Sequence, residues 1–173
     1  HVIRTYLGDS TYAPPAGPYD ANPPDNPDDA DYLVRIAKTR QYSAMFSDPD
    51  FSTYLLTVYT TADNLLNWVA GYDDAAYEYE RTRIFRLAAH LLENYPDKRF
   101  IILNWEGGHH FNKYYEARFN FVRWIQSRAD GVAAARQSAG GGEVYSGLEV
   151  NRIGDDNVAS FVGSRVAVDY ISY

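Results

Sequence analysis

The sequence predicts an α/β fold built on a parallel sheet of about five strands. Three observations point there. Apolar, β-branched stretches alternate along the chain with stretches of helical spacing, and strands that alternate with helices usually lie parallel. The strand stretches are near-continuously apolar, which suits a sheet covered on both faces or the wall of a barrel. No glycine-rich phosphate loop follows the first strand, which argues against a complete open sheet of the nucleotide-binding kind.

The elements follow in order. His1 to Gly8 reads as a strand. Residues 9 to 31, "DSTYAPPAGPYDANPPDNPDDAD", are crowded with Pro, Asp and Gly and read as a long loop. In "ADYLVRIAKTRQYSAMF", Leu33, Ile36, Ala37, Arg40 and Ala44 have helical spacing, with Asp29 or Asp31 as cap. "STYLLTVYT", 52 to 60, is a strand, and "ADNLLNWVAGYDD" a short helix or turn ending at Gly71. In "AAYEYERTRIFRLAAHLLENYP", Ile84, Leu87, Ala88, Leu91 and Leu92 line one helix face, and Pro96 ends it. "KRFIILNWEG" is a strand. A long helix follows from Asn112 to Ala139, with an expected break near Gly131 and a stop at "GGG". "EVYSGLEVNRI" and "SRVAVDYISY" read as two final strands with only a short link between them.

Composition narrows the class. The chain has 173 residues, enough for one domain with a sizeable core. Its net charge of -7 disfavours nucleic acid, which needs a basic face, and gives no attraction to anionic lipid. No apolar run is long enough to span a bilayer. Without cysteine there is no disulfide, thiolate nucleophile or cysteine zinc site. Tyrosine occurs 16 times; rings with a polar edge suit sugar faces, and also ordinary half-buried packing.

In a parallel α/β protein the ligand sits at the carboxyl ends of the strands. Those ends here carry Tyr59, Thr60, Asn104, Trp105, Glu106, Glu149, Asn151, Asp169 and Tyr170. "FIILNWEGGHHF" is the most informative of them. A carboxyl group beside an indole in a partly dry cleft has its charged form disfavoured, so Glu106 is expected to serve as a proton donor near neutral pH. Asn104 can bond a substrate hydroxyl, and Trp105 can stack or shield the acid. These roles match glycoside hydrolysis, which uses two carboxyl groups astride the scissile bond. The plain alternative is a strand-terminal Glu that binds an amide or an arginine. Glu149 and Asp169 are candidates for a second carboxyl group, or for a polar layer with Arg152 or Arg165. Asn151 and Tyr170 are candidate sugar contacts.

His109 and His110 are adjacent, so a bidentate metal site from the pair is awkward, and the one-turn spacing of a zinc helix is absent. His109 is expected to touch substrate. His90 reads as a structural, partly buried residue. The acidic loop from Tyr19 to Tyr32 lacks the glycine and terminal Glu of a calcium-binding hand. Neither a metal nor a cofactor is expected.

Four stretches, "RFIILNWEG", "RADGVAAAR", "VYSGLEVNRI" and "RVAVDYISY", carry a resemblance to the middle of a (β/α)8 glycoside hydrolase of the large retaining clan, nearest to poorly characterised bacterial members. The resemblance covers the whole chain. It implies a partial TIM barrel, residues 1–173 forming a single incomplete domain truncated at both ends, with the strands here as second to sixth of eight. It implies Glu106 as general acid/base, a carbohydrate ligand and an extracellular or periplasmic location. The clan's nucleophile ends the seventh strand, beyond this chain, so the fragment alone is expected to be inactive. The clan motif has Asn directly before Glu. Here Trp105 intervenes, so Glu106 needs a bulge or twist to face the cleft. The alternative reading is a non-catalytic glycan-binding or scaffold domain.

Overall fold

A computed structural model describes residues 1–8, 29–60, 68–105, 111–150 and 158–172. The elements are β1 (Val2–Leu7), α1 (Tyr32–Ala37), α2 (Arg40–Ser47), β2 (Thr53–Val58), α3 (Asp74–Asn94), β3 (Arg99–Leu103), a 3-10 turn (Tyr115–Ala117), α4 (Arg118–Ser138), β4 (Val144–Glu149), α5 (Val158–Gly163) and β5 (Tyr170–Ser172). The five strands form one sheet in the order β1-β2-β3-β4-β5, every neighbouring pair parallel. Each of the first four strands is followed by helix, and the sheet does not close. This is a partial (β/α)8-type barrel: the alternating pattern predicts the parallel sheet, and the family resemblance the partial barrel. No helix among the described residues is long and apolar enough to cross a membrane.

Strand side chains alternate between faces, and the register sorts them cleanly. Tyr54, Leu56 and Val58 of β2, Phe100 and Ile102 of β3 and Val144 of β4 join Ile84, Leu87 and Leu91 of α3 and Val132 and Ala135 of α4 in one core. A second core lies under the later units, where Phe121, Trp124 and Ile125 of α4 meet Leu148, Val158 and Val162. The opposite face of the sheet carries Arg4, Tyr6, Thr57, Ile101, Leu103, Tyr145 and Glu149. Arg4 of β1 meets Glu149 of β4 on this face at 2.5 Å. In a flat sheet those strands would stand about 14 Å apart. The sheet therefore curls around this face.

Three expectations are corrected. The first predicted helix is two, because Thr39 takes an extended conformation and its hydroxyl bonds the Ile36 carbonyl at 2.7 Å. The expected break near Gly131 does not occur, since α4 runs unbroken from Arg118 to Ser138. Gly131 is there for packing. A methyl group on it would lie 2.7 Å from the Arg81 carbonyl oxygen and 3.0 Å from the Phe85 nitrogen, so its absence lets α3 and α4 cross closely. The last two strands are not joined by a short link. Parallel neighbours need a crossover, and α5 supplies it, burying Val158 and Val162. β5 is correspondingly short and starts only at Tyr170.

Between α3 and α4 lies a buried ion pair. Arg128 Nη1 donates to Glu80 Oε1 at 2.7 Å, with side chains 4% and 1% exposed. Its Nη2 donates to the carbonyls of Leu103 at 3.0 Å and Val58 at 3.2 Å, at the ends of β3 and β2. Beside it the Tyr72 hydroxyl shares a hydrogen bond with Ser127, and burial, with Glu80 nearby, pushes that phenol well above its ordinary range. His90 of α3 is buried, with its Nδ1 2.9 Å from the Asn94 amide nitrogen, which also donates to the His90 carbonyl at 2.8 Å. Burial, aided by Lys38 and opposed by Glu93, holds this imidazole below its ordinary pKa.

Two outcomes are expected. Gly131→Ala should raise helix propensity by about 1 kcal/mol yet destabilise the protein by about 1–3 kcal/mol through overpacking, read as a lower denaturant midpoint. A stabilised variant would show that the helix crossing yields. Second, the unfolded chain binds a proton at His90 that the fold disfavours, so stability is full above the ordinary histidine pKa of about 6.5 and falls as pH drops through it. Melting temperatures taken from about pH 7.5 down to about pH 5 should fall, and His90→Gln should flatten that slope.

Candidate functional site

The carboxyl ends of the first three strands bring three aromatic rings together on the curled face. Tyr6 is the penultimate residue of β1, Tyr59 follows β2 and Trp105 follows β3. Trp105 meets Tyr6 edge-on, with centroids 5.4 Å apart, and lies 6.2 Å from Tyr59, while Tyr6 and Tyr59 are 6.3 Å apart. All three are half-buried, so each keeps part of its surface open. The backbone explains the closeness. Tyr59 N donates to the Leu7 carbonyl at 2.8 Å, and a methyl group on Gly8 would lie 2.4 Å from Tyr59 Cβ. Only glycine leaves room there. Tyr42 of α2 steadies the same strand end, its hydroxyl donating to the Tyr6 carbonyl at 2.6 Å.

Beneath the rings lies the charged pair. Glu149 ends β4 with its side chain 7% exposed, and Arg4 reaches it across β2 and β3. Arg4 Nη2 also stands 3.5 Å from the Thr57 hydroxyl. The result is a polar floor with an aromatic rim: a guanidinium, a carboxylate and a hydroxyl below three rings. Rings with polar edges can stack on the C–H faces of a ligand and bond its hydroxyls, and the floor can orient it.

The sequence-based candidates fall into two groups. Glu106, His109 and Asn151 lie outside the described residues. Asn104, Trp105 and Tyr170 are described, and they part ways. Trp105 joins the aromatic rim. Asn104 is fully buried and turns to the other face; its carbonyl accepts from Glu149 N at 2.9 Å and its amide donates to Glu149 O at 3.3 Å. It extends the ladder between β3 and β4 with a side chain in place of backbone. Tyr170, expected near the close of a strand, instead opens β5, paired with Gly147 in mid β4. Its ring packs edge-on against Tyr145 at 5.4 Å.

The two spare carboxylates also find partners. Glu149 takes Arg4 rather than Arg165, and Arg152 lies outside the described residues. Asp169 accepts from the backbone and hydroxyl of Ser146 at 2.8 Å and 3.0 Å and meets Arg136 at 3.2 Å, so it ties β5's approach to β4. Sequence reasoning missed Arg4 and Tyr6. The signal that could have found them is the period of two: both share a face of the first strand, and Tyr6 stands two residues before the glycine that ends it. Among the described residues no three His, Cys, Asp or Glu side chains gather closely enough to hold a metal ion.

Comparison with protein-family models, with curated proteins and with solved structures gives no match. The likeness to a β/α barrel thus stands on the strand order and the alternating helices, without assignment to a clan.

Removing Arg4 would leave the Glu149 carboxylate buried without its partner. Arg4→Met is expected to destabilise the protein by about 2 kcal/mol, and Glu149→Gln in that background to recover part of the loss. Equal and additive losses in a double-mutant cycle would show that the pair contributes no coupling.

Proposed function

We propose that this protein handles carbohydrate in the cleft at the carboxyl ends of its strands, as a glycoside hydrolase-like enzyme with Glu106 as general acid/base. The observation that supports this reading best is the rim of Tyr6, Tyr59 and Trp105 above the Arg4–Glu149 floor. Half-buried rings with polar edges match a sugar ring, which presents C–H faces and hydroxyl edges at once. Glu106 directly follows Trp105 in sequence, and the proposal assigns its carboxyl group the acid/base role. His109 and Asn151, on the segments after β3 and β4, are proposed to contact the same sugar, and Asn104 to hold the strand ends beneath it. Tyr170, lower on β5, is proposed to bound the cleft. An extracellular or periplasmic location goes with this activity.

One observation favours a second reading, glycan binding without turnover. Glu149, a buried carboxylate at these strand ends, is already engaged by Arg4 across the sheet. A binding or scaffold protein needs only the rim.

The readings separate on one substitution. Glu106→Gln in the natural protein should lower hydrolysis of aryl glycosides by about 100-fold or more while leaving glycan-array binding intact. Unchanged hydrolysis would remove Glu106 from the chemistry. Binding by the unaltered protein with no hydrolysis of any bound glycan would establish the second reading. Trp105→Ala should weaken binding by about 1–3 kcal/mol in either case, read by titration calorimetry.

A further inference from the structure

Most of the described arginines of this acidic protein contact a carboxylate. Arg4, Arg35, Arg86, Arg99, Arg123 and Arg136 each contact one. Arg118 and Arg165 differ. Neither contacts a carboxylate among the described residues, and they flank one hollow of about 340 Å³ between the start of α4 and α5. Phe111, Tyr115, Phe161, Ser160 and Ser164 complete its lining. Glu116, the acid nearest to Arg118 in sequence, lines a separate hollow with Lys113 and Asn120.

Both guanidiniums are held by rings. Arg118 Cζ lies 4.0 Å from the Tyr115 centroid, 5.2 Å from Phe161 and 5.3 Å from Phe119. Arg165 Cζ lies 3.9 Å from the Phe161 centroid, and its Nη1 donates to the Phe161 carbonyl and the Ser164 hydroxyl, both at 2.9 Å. Stacking occupies the flat face of a guanidinium and leaves its in-plane donors for a carboxylate. The surround is apolar and open: Phe119 is 58% exposed and Tyr115 52%. Phe119 and Phe161 pack at 5.6 Å.

We propose that this hollow docks an acidic peptide segment bearing an aromatic side chain, its carboxylates on Arg118 and Arg165 and its ring against Phe119, Phe161 and Tyr115. Charge decides the sign of the ligand, because two guanidiniums with no acid partner among the described residues stand on a protein of net charge -7. Charge also decides its size. A nucleic acid or an anionic membrane needs a broad basic face, and the rest of this surface repels it. Two cations among exposed rings suit instead a local contact with one peptide, and arginine with aromatic residues is the composition of protein-binding hot spots. The hollow shares no lining residue with the Tyr6, Tyr59 and Trp105 rim or the Arg4–Glu149 pair, and the proposal does not rest on the carbohydrate reading.

The test uses an acetylated, amidated pentapeptide of four glutamates around one tyrosine, with a lysine counterpart as control. Titration followed by amide and arginine side-chain resonances should show saturable shifts at Arg118, Phe119, Phe161 and Arg165. The double variant R118Q/R165Q should weaken binding about tenfold or more, as should raised salt, and the lysine peptide should not bind. W105A should bind the peptide unchanged, which separates this site from the cleft. Thermal melts check that R118Q/R165Q is folded; if it is not, Phe119→Ser, at an exposed ring, serves as the second variant and should weaken binding too. No saturable shift up to about millimolar peptide would overturn the proposal, as would undiminished binding by folded R118Q/R165Q or by Phe119→Ser. Tighter binding of inorganic phosphate, a single-stranded oligonucleotide or phosphatidylserine vesicles at these residues would overturn it in favour of that ligand.

Discussion

One buried guanidinium organises this protein. Arg128 is anchored by Glu80 on α3 and donates to the terminal carbonyls of β2 and β3. Four elements thus meet at one side chain. Strand ends leave carbonyls without ladder partners, and in a dry interior each such group would be costly. Arg128 satisfies two of them at once, and the Glu80 carboxylate neutralises the charge that does so. The Trp124 ring, 5.2 Å from its Cζ, screens it further. An ion pair buried this deeply adds little net stability over an apolar filling, but breaking it leaves a charge in the core. Its value is geometric, because it sets where β2 and β3 stop and how α3 and α4 sit over them.

The cleft inherits that geometry. Tyr59 follows Val58 and Trp105 follows Leu103 within two residues of the carbonyls that Arg128 holds. Gly8 then allows the first strand to close against Tyr59, and Tyr6 completes the rim. On the opposite side of the same sheet end, Asn104 locks β3 to β4 through the Glu149 backbone. The two faces therefore divide the work. The helix-facing side carries the bonds that make the strand ends rigid, and the curled side carries the rings and the Arg4–Glu149 pair. Rigid strands with chemistry at their ends are the arrangement from which β/α enzymes and binding proteins are made.

Much of this architecture is legible in the sequence. The parallel sheet follows from apolar stretches alternating with helical ones, and the α3 face is visible as Ile84, Leu87, Ala88 and Leu91 at helical spacing. Trp105 is legible as a strand-end ring because it closes a strand with polar neighbours, and the structure sets it against Tyr6 and Tyr59. Asn104 is not recognisable as a buried ladder extension, because its partner, the Glu149 backbone, lies 45 residues away. The helix α5 is hidden for a different reason: six residues give too little periodicity to separate it from a strand or loop.

The sequence by itself determined the first four strands and the long helices and which of their faces are apolar, because those properties repeat over local periods of two and 3.6 residues. It also carried the alternation that makes the sheet parallel. Only the tertiary structure decided who meets whom. Arg4 finds Glu149 across two intervening strands, Arg128 finds Glu80 and two carbonyls, and Arg118 and Arg165 stand among rings without an acid partner among the described residues. Those outcomes depend on sheet curvature, on the helix crossing that Gly131 permits and on distances between residues far apart in the chain. No local pattern encodes them, since a long charged side chain accepts any partner that packing brings within reach.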